Sequence, residues 1–311
     1  MNPSTPLVRI GTRGSRLALA QAGEVCARLA AVHAGLGRDG AVEVVAITTT
    51  GDRVRDRPLA DIGGKGLFCK EIEQALLENR IDAAVHSMKD VETVLADGTA
   101  IAAVLPREDP RDAFLSPGAA DIADLPRGAV VGTSSVRRAA LLRARRGDLR
   151  IVPFRGNVDT RLARLDEGAV AATILALAGL RRLGLEERAT RILPVEDMLP
   201  AVGQGAIGIQ CRLDDKRVCR WMRAISHRES ELAVRAERAM LAELDGTCRT
   251  PIAGHARFVR PGRMTLAGWH AGADLRSGYS EERDGPEDAP EELGHAVGQA
   301  LRRSAGADAL R

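Results

Sequence analysis

Aromatic side chains are scarce in this sequence: four Phe, two Trp and one Tyr in 311 residues. Proteins that grip single-stranded nucleic acid stack bases on aromatic platforms, and so few rings leave little to build one from. Lysine is scarcer still, standing only at positions 65, 70, 89 and 216, so nearly all of the 45 basic residues are arginine. The charges almost cancel, at +3 net, which removes the broad basic field of a nucleic-acid binder and shifts attention to where the arginines lie. No apolar run approaches the roughly 20 residues needed to cross a bilayer, and the opening Met-Asn-Pro-Ser-Thr-Pro has no charged stretch leading into an apolar one. A soluble, unexported chain with neither a membrane nor a nucleic-acid partner is therefore expected. The five cysteines are odd in number and form no C-x-x-C pair, and the six histidines are not clustered. That pattern argues against a disulfide scaffold or a zinc site; a reducing, cytoplasmic setting and no metal are expected.

What is present is a recurring unit. In the first half a short apolar run, a turn containing glycine or serine, and a segment of helical period follow one another, the pattern of α/β units around a mostly parallel sheet. Leu7–Ile10 reads as a strand, Gly11–Ser15 as a turn and Arg16–Ala34 as a helix capped by Ser15. Further strands are predicted at Val42–Thr48, Ala83–Val85 and Ile101–Leu105, with a helix at Leu67–Asn79 after the glycine-rich Gly63-Gly64-Lys65-Gly66. Two prolines in Pro106–Pro110 mark a linker. Beyond it come strands at Ala129–Val131, Leu149–Phe154 and Thr173–Leu177, and helices at Val136–Arg146 and Thr160–Leu165. Leu199–Gly205 reads as a second crossing, leading into a strand at Ala206–Gln210 able to return to the first sheet. From His227 a long charged helix runs to Glu243, followed by shorter β-like runs and a final helix near Glu291–Arg303. The length suits more than one domain: a first of 1–105 with 206–223, a second of 111–199, and a small α+β third of 228–311.

In open α/β sheets ligands bind beyond the carboxyl ends of the strands, where loops and helix N-termini converge. The informative polar residues fall at such places. Val130-Val131-Gly132 leads into Thr133-Ser134-Ser135 and then, in a first helical turn, Arg137 and Arg138. Free N–H groups and the helix dipole already make that end positive, so adjacent cations are mildly unfavourable unless an anion sits among them. Backbone donors, hydroxyls and guanidinium forks together suit a carboxylate or phosphate. Arg13-Gly14-Ser15, the stretch Phe154–Arg161 with Arg155 and Arg161, and Arg181-Arg182 repeat the arrangement. A composition bias shared with alanine and glycine would also enrich arginine, and each stretch alone fits a solvated helix start. Several such ends from two sheets point to a ligand with many negative groups lying between domains.

Val85-His86-Ser87-Met88-Lys89-Asp90 runs from a buried strand straight into polar residues. Lys89 and Asp90 are either a surface lysine and a helix cap, or a cleft pair in which ionised Asp90 steadies a cation during reaction and Lys89 holds substrate carboxylates. Cys248, in the turn Asp245-Gly246-Thr247-Cys248-Arg249-Thr250, is either an inert filler or a thiol favoured toward thiolate chemistry by the arginine beside it.

Taken in order, these segments resemble the porphobilinogen deaminase (hydroxymethylbilane synthase) family from about Val8 to Pro251. The resemblance rests on Gly11-Thr12-Arg13, Thr50-Gly51-Asp52, Gly63-Gly64-Lys65-Gly66-Leu67-Phe68, His86-Ser87-Met88-Lys89-Asp90, and Arg107-Glu108-Asp109-Pro110-Arg111-Asp112-Ala113. It continues through Gly132-Thr133-Ser134-Ser135, Arg155-Gly156-Asn157, Ala178-Gly179-Leu180, Ala201-Val202-Gly203-Gln204-Gly205-Ala206 and Ala236-Glu237-Arg238-Ala239, and fades beyond about Ala256. It implies three domains: two doubly wound α/β domains of the periplasmic-binding-protein kind and a small α+β C-terminal domain. It also implies a monomer with a dipyrromethane cofactor held by a cysteine thioether, Cys248 matching the attachment cysteine. The implied reaction joins porphobilinogen units head to tail with loss of ammonia and releases hydroxymethylbilane by hydrolysis.

By that resemblance Asp90 is the catalytic carboxylate, contacting pyrrole nitrogens, stabilising the azafulvene cation and assisting deprotonation. Arg13, Ser15, Lys65, Lys89, Arg137, Arg138, Arg155, Arg161 and Arg182 match positions that bind cofactor or substrate side chains. Thr133, Ser134, Ser135 and Gln204 line the same cleft, and Phe68 packs near the incoming pyrrole. Three positions depart from the family pattern: Asp61 stands where lysine is common, Glu92 where proline is, and Thr247 where glycine is. A non-catalytic anion-binding protein on the same paired α/β domains would explain the arginines but leave Asp90 and Cys248 without a role.

Overall fold

Residues 6–53, 66–247, 250–272, 274–275 and 277–305 are described by the computed structural model. Asp61, Lys65 and Cys248 lie outside them. The described residues divide into two units, one of 6–53, 66–107 and 206–231, the other within 108–205 and 232–305.

In chain order the elements are β1 (Val8–Arg13), α1 (Arg16–Val32), β2 (Val42–Ile47), α2 (Thr50–Arg53), α3 (Lys70–Leu77), β3 (Ala83–Ser87), β4 (Thr99–Val104), β5 (Asp112–Leu115), β6 (Val130–Gly132), α4 (Val136–Arg145) and β7 (Arg150–Val152). They continue with α5 (Val158–Asp166), β8 (Ala172–Ala176), α6 (Leu177–Arg182), β9 (Arg191–Ile192), β10 (Ile207–Arg212), α7 (Lys216–Arg223), α8 (Arg228–Glu243), β11 (Ile252–Arg260), β12 (Arg263–Ala271), β13 (Gly278–Pro286) and α9 (Pro290–Ala305).

The first sheet has the order β2-β1-β3-β10-β4. In it β1 is parallel to β2 and β3, while β10 runs antiparallel to β3 and β4. The second has the order β7-β6-β8-β5-β9, with β6 parallel to β7 and β8, and β5 antiparallel to β8 and β9. The two patterns are the same. The chain leaves the first sheet after β4, supplies β5 to the second, and comes back as β10, the return expected of Ala206–Gln210.

Alternate strand residues enter opposite layers. Val8 and Ile10 of β1 pack with Ala22, Val25 and Leu29 of α1 and Val218 and Met222 of α7. On the other face Ile72, Ala75 and Leu76 of α3 cover Ile81 and Ala84. In the second sheet Phe114 meets Leu141 and Leu142 of α4, whereas its neighbours Ala113 and Leu115 meet Leu162 and Leu165 of α5 and Leu180 of α6. Both sheets are therefore doubly wound, as predicted. The C-terminal part is an antiparallel sheet, β11-β12-β13, packed by Met240 and Leu241 of α8 and Val297 and Leu301 of α9. Its β-like runs are longer than read, at nine residues each.

Some predicted boundaries move for local reasons. Ser15 caps α1 as expected, its hydroxyl accepting the Ala18 N–H at 3.2 Å. Turns at residues 67–69 delay α3 to Lys70. The α5 helix begins earlier than expected, at Val158, because Asn157 Oδ1 accepts the Thr160 N–H at 2.8 Å. Strands β5 and β9 have no counterpart among the predicted elements.

Candidate active site

The central strand β3 runs into a single 3-10 turn, Met88–Asp90. Met88 is buried and anchors that turn. Gly208 on neighbouring β10 makes room for it, since a Cβ there would lie 2.0 Å from Met88 Sδ. With residue 88 sunk, Lys89 and Asp90 emerge half-buried at the carboxyl end of the strand. The helix-cap alternative for Asp90 is not what forms: among the described residues its carboxylate takes no hydrogen bond, and only its backbone carbonyl is engaged, accepting from the Cys69 thiol at 3.3 Å.

Arg13, at the end of β1, stands near that carboxylate. Its Nε donates to both Asp52 carboxylate oxygens at 3.2 Å, its Nη2 donates to Asp52 Oδ1, and its guanidinium lies 4.2 Å over the centre of the Phe68 ring. Burial pulls the Arg13 pKa down, but the bonds to Asp52 and the negative charge of Asp90 outweigh it and leave the value raised. Asp52 responds in the opposite sense: burial would raise its pKa, yet Arg13 and the Thr49 hydroxyl and N–H hold it below the ordinary 3.8. Gly51 is required beneath this stack, because a Cβ there would fall 2.3 Å from the Phe68 ring.

Behind the Asp90 turn lies a buried polar chain that was not anticipated. Gln210 Nε2 donates to Glu73 and Thr99 at 2.8 Å each, leaving Gln210 Oε1 to accept from His86 Nε2 at 3.0 Å. Those bonds assign the His86 proton to Nε2. Gln21, buried on α1, exchanges hydrogen bonds with Ser87 at the end of β3. It is the polar member of the otherwise apolar stripe Ala18, Ala22, Val25, Leu29, a signal the sequence did carry. Glu92, one of the departures from the family pattern, accepts the Gly66 N–H at 2.9 Å.

In the second unit, Thr133, Ser134 and Ser135 follow β6 and share a common geometry. Thr133 Oγ1 accepts the Ser135 N–H at 3.2 Å, Ser134 Oγ the Phe154 N–H at 3.0 Å, and Ser135 Oγ caps α4 at the Arg138 N–H. Each hydroxyl accepts a backbone donor, and among the described residues none spends its own proton on a partner. Arg155, Arg161 and Arg182 are half-buried beyond strands β7 and β8. Arg161 Nε donates to the Gly156 carbonyl at 2.9 Å and Arg182 Nη2 to the Gly205 carbonyl at 3.0 Å. Arg181, paired with it in sequence, is instead taken by Glu108 and Glu186.

Arg137 and Arg138 are placed differently from a solvated helix start. Their side chains are only 4% and 7% exposed, and both are held by Asp112 of β5, itself 0% exposed. The anion that offsets two cations at the start of α4 is therefore, in the first instance, part of the chain. Burial would raise the Asp112 pKa, but the two guanidiniums hold it far below the usual carboxylate range. Gln204 joins the same cluster, donating Nε2 to Asp112 Oδ1 at 2.8 Å and to the Pro110 carbonyl at 2.6 Å.

Of the turn expected to carry the attachment thiol, Thr247 is described: its N–H donates to Thr250 Oγ1 at 2.9 Å. Cys248 and Lys65 have no described placement. A dipyrromethane presents carboxylates, and the donor set that is described fits such a group: three O–H donors and three half-buried guanidiniums at the carboxyl ends of the second sheet.

Comparison with known proteins agrees. The model of the porphobilinogen deaminase dipyromethane cofactor binding domain matches residues 8–220, and that of the porphobilinogen deaminase C-terminal domain matches 231–303, so the likeness extends past the motifs that fade near Ala256. The chloroplastic porphobilinogen deaminase of Oryza sativa is 52% identical over 302 residues, covering 96% of this chain and 84% of its own. That of Paracoccus denitrificans is 53% identical over 307 residues, covering 99% and 97%. Among solved structures, the methionine-binding protein MetQ aligns with a TM-score of 0.44 at 14% identity, over 70% of this chain and 89% of its own. An Asp90 turn beside Arg13, a donor-rich second sheet and near-complete coverage by both family models lead to one conclusion: the chain belongs to the porphobilinogen deaminase family.

Proposed function

We propose that this chain is a hydroxymethylbilane synthase, a transferase that condenses porphobilinogen head to tail with loss of ammonia and releases hydroxymethylbilane by hydrolysis. The observation that carries this is Asp90: a half-buried carboxylate at the end of a central strand, with no described donor upon it and a raised-pKa arginine nearby. When bound through Cys248, a dipyrromethane supplies the primer that is lengthened. Each porphobilinogen brings an acetate and a propionate, the groups that Arg155, Arg161, Arg182 and the hydroxyls of Thr133, Ser134 and Ser135 are suited to bind. As the carbon–nitrogen bond of porphobilinogen breaks and ammonia leaves with the electron pair, the pyrrole becomes cationic, and Asp90 opposes that charge. Asp52 holds the Arg13 guanidinium through Nε and Nη2, so Arg13 can meet a substrate carboxylate without closing onto Asp90. After carbon–carbon bond formation Asp90 is also the base to which the departing ring proton is directed. The enzyme acts as a cytoplasmic monomer.

Intact mass tests this. Purified protein should exceed its sequence mass by one dipyrromethane and gain discrete pyrrole increments on brief exposure to porphobilinogen, and Cys248→Ala should carry no adduct. A wild-type protein that is unmodified and merely binds porphobilinogen would make it a non-catalytic anion binder.

A further inference from the structure

Three of the residues matched to the binding site, Arg137, Arg138 and Gln204, converge on one side chain that is not among them. Asp112 Oδ2 accepts Arg137 Nη2 at 2.6 Å; Oδ1 accepts Arg138 Nη2 at 2.7 Å and Gln204 Nε2 at 2.8 Å. Each arginine spends a second arm on the main chain, Arg137 Nη1 on the Leu199 carbonyl and Arg138 Nη1 on the Ile174 carbonyl. A carboxylate is rarely buried so completely, because taking it out of water is unfavourable unless opposite charge and hydrogen bonds replace the lost hydration. Here both oxygens are engaged by charged or amide donors. The arginines are only partly engaged: the two Nε atoms are buried and have no partner among the described residues, and one carboxylate between two guanidiniums leaves one positive charge over. The cluster is thus rigidly held yet short of one anion, which is the state of a site arranged ahead of an acidic ligand.

We infer that Asp112 is a positioning residue for the cofactor: without meeting the ligand, it sets the orientation of Arg137, Arg138 and Gln204 and reduces the charge of the arginine pair to that which a single ligand carboxylate neutralises. The inference rests on the function proposed above. It predicts that a neutral side chain at 112 harms cofactor loading out of proportion to any loss of fold, since an asparagine can accept from one arginine but presents its NH₂ to the other.

Full-length wild type, Asp112→Asn and Asp112→Glu are produced in parallel and the folded, monodisperse fraction of each is isolated. Intact mass then gives the share carrying a dipyrromethane, before and after incubation with graded porphobilinogen. Folded Asp112→Asn should need at least about tenfold more porphobilinogen for half-maximal loading, the consequence of misplacing charged hydrogen bonds. Asp112→Glu, which keeps the carboxylate, should load more readily than Asp112→Asn. Equal loading by folded Asp112→Asn and wild type would overturn the inference. So would a loss of adduct that only tracks the loss of folded protein, or a glutamate no better than the asparagine. A wild type that lacks the adduct would instead overturn the proposed function.

Discussion

Replacing Asp90 by asparagine separates chemistry from folding more cleanly than any other change in this molecule. The native carboxylate takes no described hydrogen bond and is half-buried, so the isosteric amide leaves no donor stranded, and the stability change should stay within about 0.5 kcal/mol. The effect on turnover is set by charge. A carboxylate about 4 Å from a forming cation, at an effective dielectric of about 20, contributes about 4 kcal/mol. At about 1.4 kcal/mol per decade, its loss should slow each ammonia-releasing step about 10³-fold. Thermal melts of the two proteins should overlay, while single-turnover mass spectra after mixing with porphobilinogen should show pyrrole increments appearing about three decades more slowly. If Asp90→Asn turned over at the wild-type rate, or lost activity only as it lost fold, Asp90 would not be the group that stabilises the cation.

Asp52→Asn should destabilise the protein by about 1–2 kcal/mol near neutrality, by removing a charged partner of Arg13. Because folding depresses the Asp52 pKa, its stabilisation is complete above the unfolded value near 3.8 and is lost as pH falls through the lower folded value. The gap between the two proteins in denaturant titrations should therefore close below about pH 4, and a gap constant with pH would show that the carboxylate charge is not its source. Gly205→Ala should cost about 2 kcal/mol or more, since φ there is +88° and a Cβ would lie 2.3 Å from the Glu108 carbonyl oxygen; an unchanged melting temperature would contradict that geometry.

Local signals were the legible ones. Apolar runs ending in glycine or serine located β1, β3 and β6, a buried apolar run located β8, and the hydroxyls at 15 and 135 are helix caps because the cap is defined within four residues. Strand β5 was not legible for a physical reason. Asp112-Ala113-Phe114-Leu115 follows two prolines and opens on a charge, which reads as loop unless its counterions are known, and those sit 25 and 26 residues further along on α4. The same gap hid the Asp112 partnership of Arg137 and Arg138, leaving them to read as cations awaiting an anion. The stack of Asp52, Arg13 and Phe68 likewise joins three segments whose proximity only the fold creates. Asp90 was accessible because strand, turn and acid are consecutive.

The exchange of β5 and β10 has a consequence for biosynthesis. Among the described residues β4 hydrogen-bonds to β10 and to no other strand, yet roughly a hundred residues separate the two. At ribosomal rates of about 5–20 residues per second, the amino-terminal part of the first sheet waits roughly 5–20 s for its missing neighbour, holding an unpaired edge exposed. A released chain truncated near residue 205 should therefore be a good client for chaperones, and one extended through 212 should be less so.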